Sequence, residues 1–310
     1  MKAIVATRYG RADGLQLKDV PTPTPQSDEV LVRVHAATVT AGDVMLRKTG
    51  GTPLFWPIVR DLIGMPPRKR TPGHEFAGVV EAVGANVTRF KPGDAVFGTT
   101  TGLTVGANAE YVCVPESHSK SVLAIKPEAL SFEQAAAVPV GAMTALFLLR
   151  HAAVEAGNAV LIYGASGSVG TYAVQIAKAL GADVTGVAST GNVELVRSLG
   201  AGRVIDYTQE DFAAAGPIYD VVFDAVGKAP VDKAKSILKP GGRFTSIRTL
   251  THESDDALAF LRGLIDAGQL VPVIDRRYPL EQTADAHRYA ETGRKKGNVV
   301  ITVASDSSLT

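Results

Sequence analysis

Apolar and polar positions follow two different rhythms along this chain. In its first part the apolar residues fall in short runs, EVLVRVHAATV (29–39), EFAGVVEAVG (75–84) and DAVFGTTT (94–101), punctuated by Gly and Pro. Closely spaced runs of this kind predict β-strands in an irregular barrel or sandwich. PTPTPQ (21–26) lies between two strand-like runs and reads as an extended connector rather than a domain linker. From residue 124 onward the rhythm lengthens. SFEQAAAVPVGAMTALFLLRHAAV (131–154) predicts a helix with Ser131 as its N-cap. Apolar strands and amphipathic helices then take turns: AVLIYG and SVGTYAVQIAKALG, DVTGVAS and NVELVRSLG, RVIDY, YDVVFDAVG and VDKAKSILKPGG, RFTSI. Strands this apolar, separated by helices, predict a parallel sheet covered on both faces. Right-handed crossovers make such a sheet doubly wound. The tail (270–303) reads as strand, helix, strand and is expected to return to the first domain. The expected organisation is α/β: a β-rich domain from 1–123 and 273–310, with a doubly wound domain from 124–272 between them. The last residues, ASDSSLT, are expected to fray.

Composition narrows the function classes. The chain has 310 residues, 45% hydrophobic and 20% charged, which suits a soluble protein with two cores. Its 32 Lys and Arg balance 31 Asp and Glu, which argues against nucleic acid or an acidic membrane surface as a partner. Arg68-Lys69-Arg70 and Arg294-Lys295-Lys296 read as solvated loops, the second also within reach of a phosphate. Cys113 stands alone, so neither a disulfide framework nor a Cys-rich zinc site is available within one chain. MKAIVATRYG lacks the apolar core of a signal peptide, and AAAVPVGAMTALFLL (135–149) is too short to span a bilayer. A cytoplasmic protein is expected.

The first chemical signal is IYGASGSVG (162–170), between an apolar strand and a helix. Gly164, Gly167 and Gly170 let a backbone turn tightly and approach a pyrophosphate. Ala165, Ser166, Ser168 and Val169 complete the loop, and the helix N-terminus offers N–H donors and a positive dipole end. A lone glycine triplet also fits an ordinary turn, but the β-α-β series that follows favours a dinucleotide site. An NAD site ends its second strand in Asp or Glu, about 20 residues past the loop. Here that strand ends in Ser189-Thr190-Gly191-Asn192, which leaves room for a 2′-phosphate, with Tyr207 able to stack or hydrogen-bond nearby. NADP is therefore the expected cofactor, although no Arg stands in the loop. The alternative is that Thr190 or Asn192 simply caps the next helix.

With these stretches in view, the chain resembles the medium-chain dehydrogenase/reductase superfamily, and within it the zinc-independent quinone oxidoreductase branch. The resemblance runs nearly end to end, through TPGHEFAGVVEAVGANVTRFKPGDAVFG (71–98), AEYVCVPE (109–116), LSFEQAAAVPVGAMTAL (130–146), YGASGSVGTYAVQIAKALGA (163–182), LVRSLGAGRVIDY (195–207), YDVVFDAVG (219–227), LKPGGRF (238–244) and KGNVVITV (296–303). It implies a GroES-like catalytic domain, a Rossmann domain and an active site in the cleft between them. It also implies that Thr144, Val226, Ser246 and Ile247 meet the nicotinamide half of the cofactor. Lys296, Gly297 and Asn298 match a tail loop near that end.

A catalytic zinc in this superfamily would draw on His74-Glu75, on a Cys about thirty residues earlier and on a third ligand near the Rossmann entry. Asp43 stands where the resemblance would put the Cys, and VPVGAMTA offers no third ligand. The lobe with four structural-zinc cysteines is also missing. Asp43, His74 and Glu75 could ligate a hard metal, but no metal is the expectation, with His74-Glu75 as a hydrogen-bonded turn. Without zinc, hydride transfer is easiest to an acceptor that spreads its own negative charge, such as a quinone or an α,β-unsaturated carbonyl. One or two hydrogen bonds to the nascent enolate oxygen then suffice. Thr40 and Asp43 are the candidate catalytic residues; a helix-capping role is an equal reading of Asp43. Tyr111 and Cys113 read as packing residues, and His151 and His287 as helix-surface residues. TPLFWPIVRDLIGMPPRKR (52–70) could wall the pocket with Phe55 and Trp56, or be a plain loop. Alternatives are a metal-dependent alcohol dehydrogenase and a non-catalytic NADPH-binding sensor. Finally, RTLTHESDDALAFLRGL (248–264) passes quickly to the next helix where relatives carry an extra strand, so a homodimer here is expected to have an altered Rossmann edge.

Overall fold

The computed structural model describes residues 1–7, 10–49, 71–100, 106–119, 121–214 and 218–303. The 52–70 segment, with Phe55 and Trp56, and the tail 304–310 lie outside the described residues. Two compact units divide the chain: Met1–Pro139 with Ile274–Thr310, and Val140–Val273.

The first unit is built around β3 (Glu29–Thr38), whose Val30, Val32 and Val34 are fully buried. Its neighbours are β4 (Glu75–Val83), β6 (Tyr111–Pro115) and β14 (Asn298–Thr302), all antiparallel to it. β5 (Ala95–Thr99) and β7 (Leu123–Ile125) extend one side, and β13 (Ile274–Pro279) runs parallel to β14 on the other. The tail thus closes the sheet begun by the N-terminal part. A hairpin-like pair, β1 (Lys2–Ala6) and β2 (Leu15–Asp19), lies apart from this sheet. α1 (Ala41–Thr49) and α8 (Thr283–Glu291) pack on each other.

The helix expected over 131–154 is two helices. Ser131 does cap the first, α2 (Phe132–Ala136), in a full capping box with Gln134. Ala137 and Val138 then interrupt the run before α3 (Pro139–His151). Pro139 is the reason: it has no N–H to continue α2, and its fixed φ suits the first residue of a new helix. α2 packs on β3 and β4, which carries the compact first unit to Pro139, past the 123/124 boundary read from the sequence.

The second unit is a five-stranded parallel sheet in the order β10-β9-β8-β11-β12. Its strands are β8 (Ala159–Tyr163), β9 (Asp183–Ala188), β10 (Arg203–Asp206), β11 (Tyr219–Asp224) and β12 (Leu238–Ser246). Val160, Leu161, Ile162, Val222 and Phe223 are fully buried, as strands covered on both faces must be. The helices are α4 (Ser168–Ala179), α5 (Val193–Ser198), α6 (Val231–Ser236) and α7 (Asp255–Asp266). The fold is the α/β pairing of a GroES-like unit with a doubly wound sheet. Because β8 lies between β9 and β11, the strand order reverses there, and such a switch point opens a crevice at the carboxyl ends of the strands. Among the described residues β12 is the sheet's outer strand, and the chain passes from Ser246 to α7, capped by Ser254, without a sixth strand.

Candidate functional site

Two polar constellations stand out, one in each unit. In the second unit the glycine loop joins β8 to α4. Gly164 turns the chain at φ +79°, and the amides of Gly164 and Ala165 both donate to the Val187 carbonyl at 3.1 Å. A Cβ at Gly164 would also meet Val226, at 2.5 Å. Gly167 is the N-cap of α4 and brings no side chain to it. A Cβ at Gly170 would lie 2.2 Å from the Gly164 carbonyl oxygen, so the helix start can rest against the loop only with glycine there. A backbone cradle this tight, opening a twelve-residue helix, fits a pyrophosphate.

Beside it lies the end of β9. The side-chain amide of Asn192 donates to Ser166 Oγ (3.1 Å) and Ser189 Oγ (3.2 Å), tying the two loops together. Neither Asn192 nor Thr190 caps a helix with its side chain, so the capping alternative does not hold. Thr190 instead contacts Thr208 through their hydroxyls at 2.9 Å. Tyr207 is 54% exposed, held by its backbone amide to the Ala188 carbonyl. Sequence reasoning missed Asp206, at the end of β10. It accepts hydrogen bonds from the Thr208 amide (3.0 Å) and hydroxyl (2.7 Å). Bonds from Thr190 first, then Thr208, hold its carboxyl below the ordinary range.

Asp224, 2% exposed at the end of β11, was also missed. It accepts from the amides of Val226 and Ala229, both at 3.1 Å, and from Ser246 Oγ at 3.4 Å. It thereby fixes the backbone turn that carries Val226 and ties it to β12. Ile247 donates its amide to the Asp224 carbonyl, and Arg248 donates through Nε to the Gly227 carbonyl at 2.9 Å. Asp224, Ser246, Arg248 and Thr249 line a cavity of about 260 Å³ at this end of the sheet. Thr144 is half-buried on α3.

In the first unit, Thr40 and Asp43 serve each other at the start of α1. Asp43 Oδ2 accepts from the Thr40 amide (2.8 Å) and hydroxyl (2.6 Å), and Thr40 Oγ1 accepts from the Asp43 amide (3.0 Å). This is a capping box, so the hydroxyl proton of Thr40 is committed to Asp43. Asp43 Oδ1 is buried and has no protein hydrogen bond. One turn on, buried Arg47 ion-pairs with Glu291, donates to the Gly10 carbonyl and reaches His287 Nδ1 through Nε at 3.4 Å. His287 is 0% exposed, which corrects its reading as a helix-surface residue: α8 turns that face onto α1. Burial pulls its pKa down to about 4, against the pull of Asp43 and with the push of Arg47.

His74-Glu75 is held by protein groups. Glu75 is 1% exposed and takes a short hydrogen bond from the Thr38 hydroxyl, and His74 Nδ1 lies 3.3 Å from Thr100 Oγ1. Among the described residues no three His, Cys, Asp or Glu side chains gather as a metal site. Lys295 donates to the Gly297 carbonyl at 2.8 Å, and burial lowers its pKa to about 8 against the pull of Glu75 and Asp275. Lys296 is exposed, its amide fixed by Asp275 at 2.9 Å; Asn298 is buried at the start of β14. Cys113 is half-buried, and its thiol is pushed up to about 12 by burial, as suits a packing residue.

Residues 26–126 match the family model described as the alcohol dehydrogenase GroES-like domain, and residues 168–268 and 244–301 match two described as zinc-binding dehydrogenase. The 2-methylene-furan-3-one reductase of Solanum lycopersicum is 35% identical over 97% of this chain and 79% of its own length. The chloroplastic NADPH-dependent alkenal/one oxidoreductase of Arabidopsis thaliana has the same identity and coverage. The Homo sapiens quinone oxidoreductase is 32% identical over 93% of both chains. The structure of the quinone oxidoreductase from Coxiella burnetii superposes with a TM-score of 0.86 at 31% identity, over 98% of this chain and 99% of that one. Dinucleotide cradle, paired domains and relatives together make this chain an oxidoreductase that belongs to the medium-chain dehydrogenase/reductase superfamily, in its quinone oxidoreductase-like branch.

Proposed function

We propose that the chain is an NADPH-dependent oxidoreductase that transfers a hydride to a quinone or an α,β-unsaturated carbonyl without a metal. The observation that carries this reading is the Gly164–Gly170 cradle, whose geometry suits the backbone approach to a pyrophosphate. The names of the tomato and Arabidopsis relatives support the acceptor class, and the second of these supports NADPH. Against a catalytic metal stands the donor set itself: Asp43 is engaged by Thr40, and Glu75 by Thr38.

The nicotinamide, when bound, supplies the hydride. The protein's part is to bind, orient and stabilise charge. Amides at the start of α4 take the pyrophosphate; Ser189, Thr190, Asn192 and Tyr207 serve the adenosine end. The turn fixed by Asp224, with Val226, Ser246 and Ile247, serves the nicotinamide end, and Thr144, Lys296 and Asn298 are assigned there by resemblance. Thr40 and Asp43 are proposed to act at the acceptor, whose oxygen gains charge as the hydride arrives. Because Thr40 already donates to Asp43, it can donate to that oxygen only by exchanging partners. Solvent supplies the proton that completes the reduction. The substrate is a small molecule, and the proposed compartment is the cytoplasm; among the described residues no helix is long and apolar enough to cross a membrane.

The test is loss of the NADPH absorbance band with a panel of small quinones and enones, with and without a chelator. Acceptor-dependent, chelator-insensitive turnover is expected. Chelator-sensitive alcohol oxidation would replace this reading with the metal-dependent one, and tight NADPH binding without turnover would replace it with a sensor.

A further inference from the structure

The two sides of the second-strand loop present opposite hydrogen-bonding characters. On the side facing the glycine loop, Asn192 donates into the oxygens of Ser166 and Ser189. Their own hydroxyl protons remain to be donated to an anion. On the other side the protons run inward. Thr208 gives its hydroxyl proton to Asp206 at 2.7 Å. Thr190, 2.9 Å from the Thr208 hydroxyl, also hydrogen-bonds the Asp206 carboxylate. Gln209 adds a donor to Thr208 Oγ1 at 3.3 Å. A hydroxyl has one proton and each is spent within this cluster, so neither threonine has a donor left for an incoming group.

A 2′-phosphate carries acceptors only and is repelled by lone pairs backed by a carboxylate; a ribose 2′-hydroxyl can donate to them. The nearby cations do not relieve this. Arg197 pairs with Glu194, Arg203 with Glu210 and Lys233 with Asp211, and residues 189–192 contain no Lys or Arg. Asp206 has no ion-pair partner among the described residues. It therefore stands, one strand over, in the role that a carboxylate at the end of the second strand plays in NAD sites.

We propose that Asp206 is a specificity-determining residue that curbs the preference for a 2′-phosphate and lets the site accept NADH as well as NADPH. The proposal rests on the reading of the glycine loop as a nicotinamide dinucleotide site. Its test is the dissociation constants of NADPH and NADH, from cofactor fluorescence, for the wild type and Asp206→Asn. The wild type is expected to bind both. D206N is expected to raise the NADPH-to-NADH affinity ratio about tenfold, or ~1.4 kcal/mol. A readout on the unaltered protein keeps the proposal testable if the variant folds poorly. Added salt should raise the wild-type NADPH-to-NADH ratio, because it screens a repulsion; a cationic phosphate clamp would make it fall. An unchanged ratio in folded D206N, or a ratio that falls with salt in the wild type, overturns the role of Asp206 alone. Binding of neither cofactor by the wild type overturns both readings.

Discussion

Gly170→Ala sets two opposing effects against each other, helix propensity and steric room. Alanine in an exposed helix interior is favoured over glycine by about 1 kcal/mol. At position 170 the new Cβ would lie 2.2 Å from the Gly164 carbonyl oxygen, 2.8 Å from Ala165 Cα and 2.9 Å from Ala165 C. All three are backbone atoms, so no rotamer change relieves the contact. The start of α4 must retreat from the loop by roughly 1 Å to restore ordinary van der Waals separations. Overpacking of this kind costs about 1–3 kcal/mol, which exceeds the helix-propensity gain. The retreat also moves the donors of the cradle, and a misplacement of about 1 Å can cost on the order of a hundredfold in function. We therefore expect G170A to lower the thermal midpoint and to weaken NADPH binding by about a hundredfold, or ~2.7 kcal/mol. The control is Gly263→Ala on α7, where nothing lies within 4 Å of the added carbon and φ is not in the left-handed region. Fluorescence titration and thermal unfolding of both variants decide the matter. Wild-type affinity and an unchanged or raised midpoint in G170A would refute the cradle argument.

Other expectations are simpler to state. Ala153 ends α3 at φ +45°, in the left-handed region that favours glycine, so Ala153→Gly should stabilise by about 1 kcal/mol and raise the thermal midpoint; a fall would contradict the strain. His287 has a folded pKa of about 4, below its unfolded 6.5. Its contribution is therefore complete above pH 6.5 and lost as pH falls toward 4, in all about 3 kcal/mol. Denaturant melts of the wild type and His287→Asn should differ in pH dependence over that window, and parallel profiles would sink the assignment. For the outer strand β12, light scattering and a crystal form should not give a dimer joined by edge-to-edge Rossmann sheets. Finding that dimer would end the idea of an altered edge.

Most of the fold was legible because it rests on local signals. The strand–helix alternation after Ala159, broken only between β10 and β11 among the described residues, and the β-like runs before Ile125 each declare their own period. What misled was a break inside an apolar stretch: Pro139 outweighs the helical pattern on either side, and composition hides it. The candidate site was legible where glycine is the message, at 164–170, because steric room is a property of the residue itself. It was not legible where a common polar residue acquires meaning from distant partners. Asp206 looks like the end of a strand, and only its threonine neighbours make it an acceptor cluster. His287 looks like one polar residue on an amphipathic helix, and only the docking of α8 on α1 buries it.

The split of the first unit across the two ends of the chain sets an order of events during synthesis. β3 emerges early, yet its β14 neighbour, which pairs Thr302 with Ala36 and Val300 with Thr38, leaves the ribosome only after the whole Val140–Val273 unit. The Val140–Val273 unit has its five parallel strands complete before that and can fold while its host is still open. Until β14 arrives, the buried 36–38 end of β3 lacks one of its strand neighbours, and an open edge of this kind recruits other chains. Nascent chains halted before residue 298 should therefore protect the nucleotide-binding unit from protease while depending on chaperones to keep the first unit from aggregating. The long-range closure also makes the final step slow, since it joins residues separated by most of the chain.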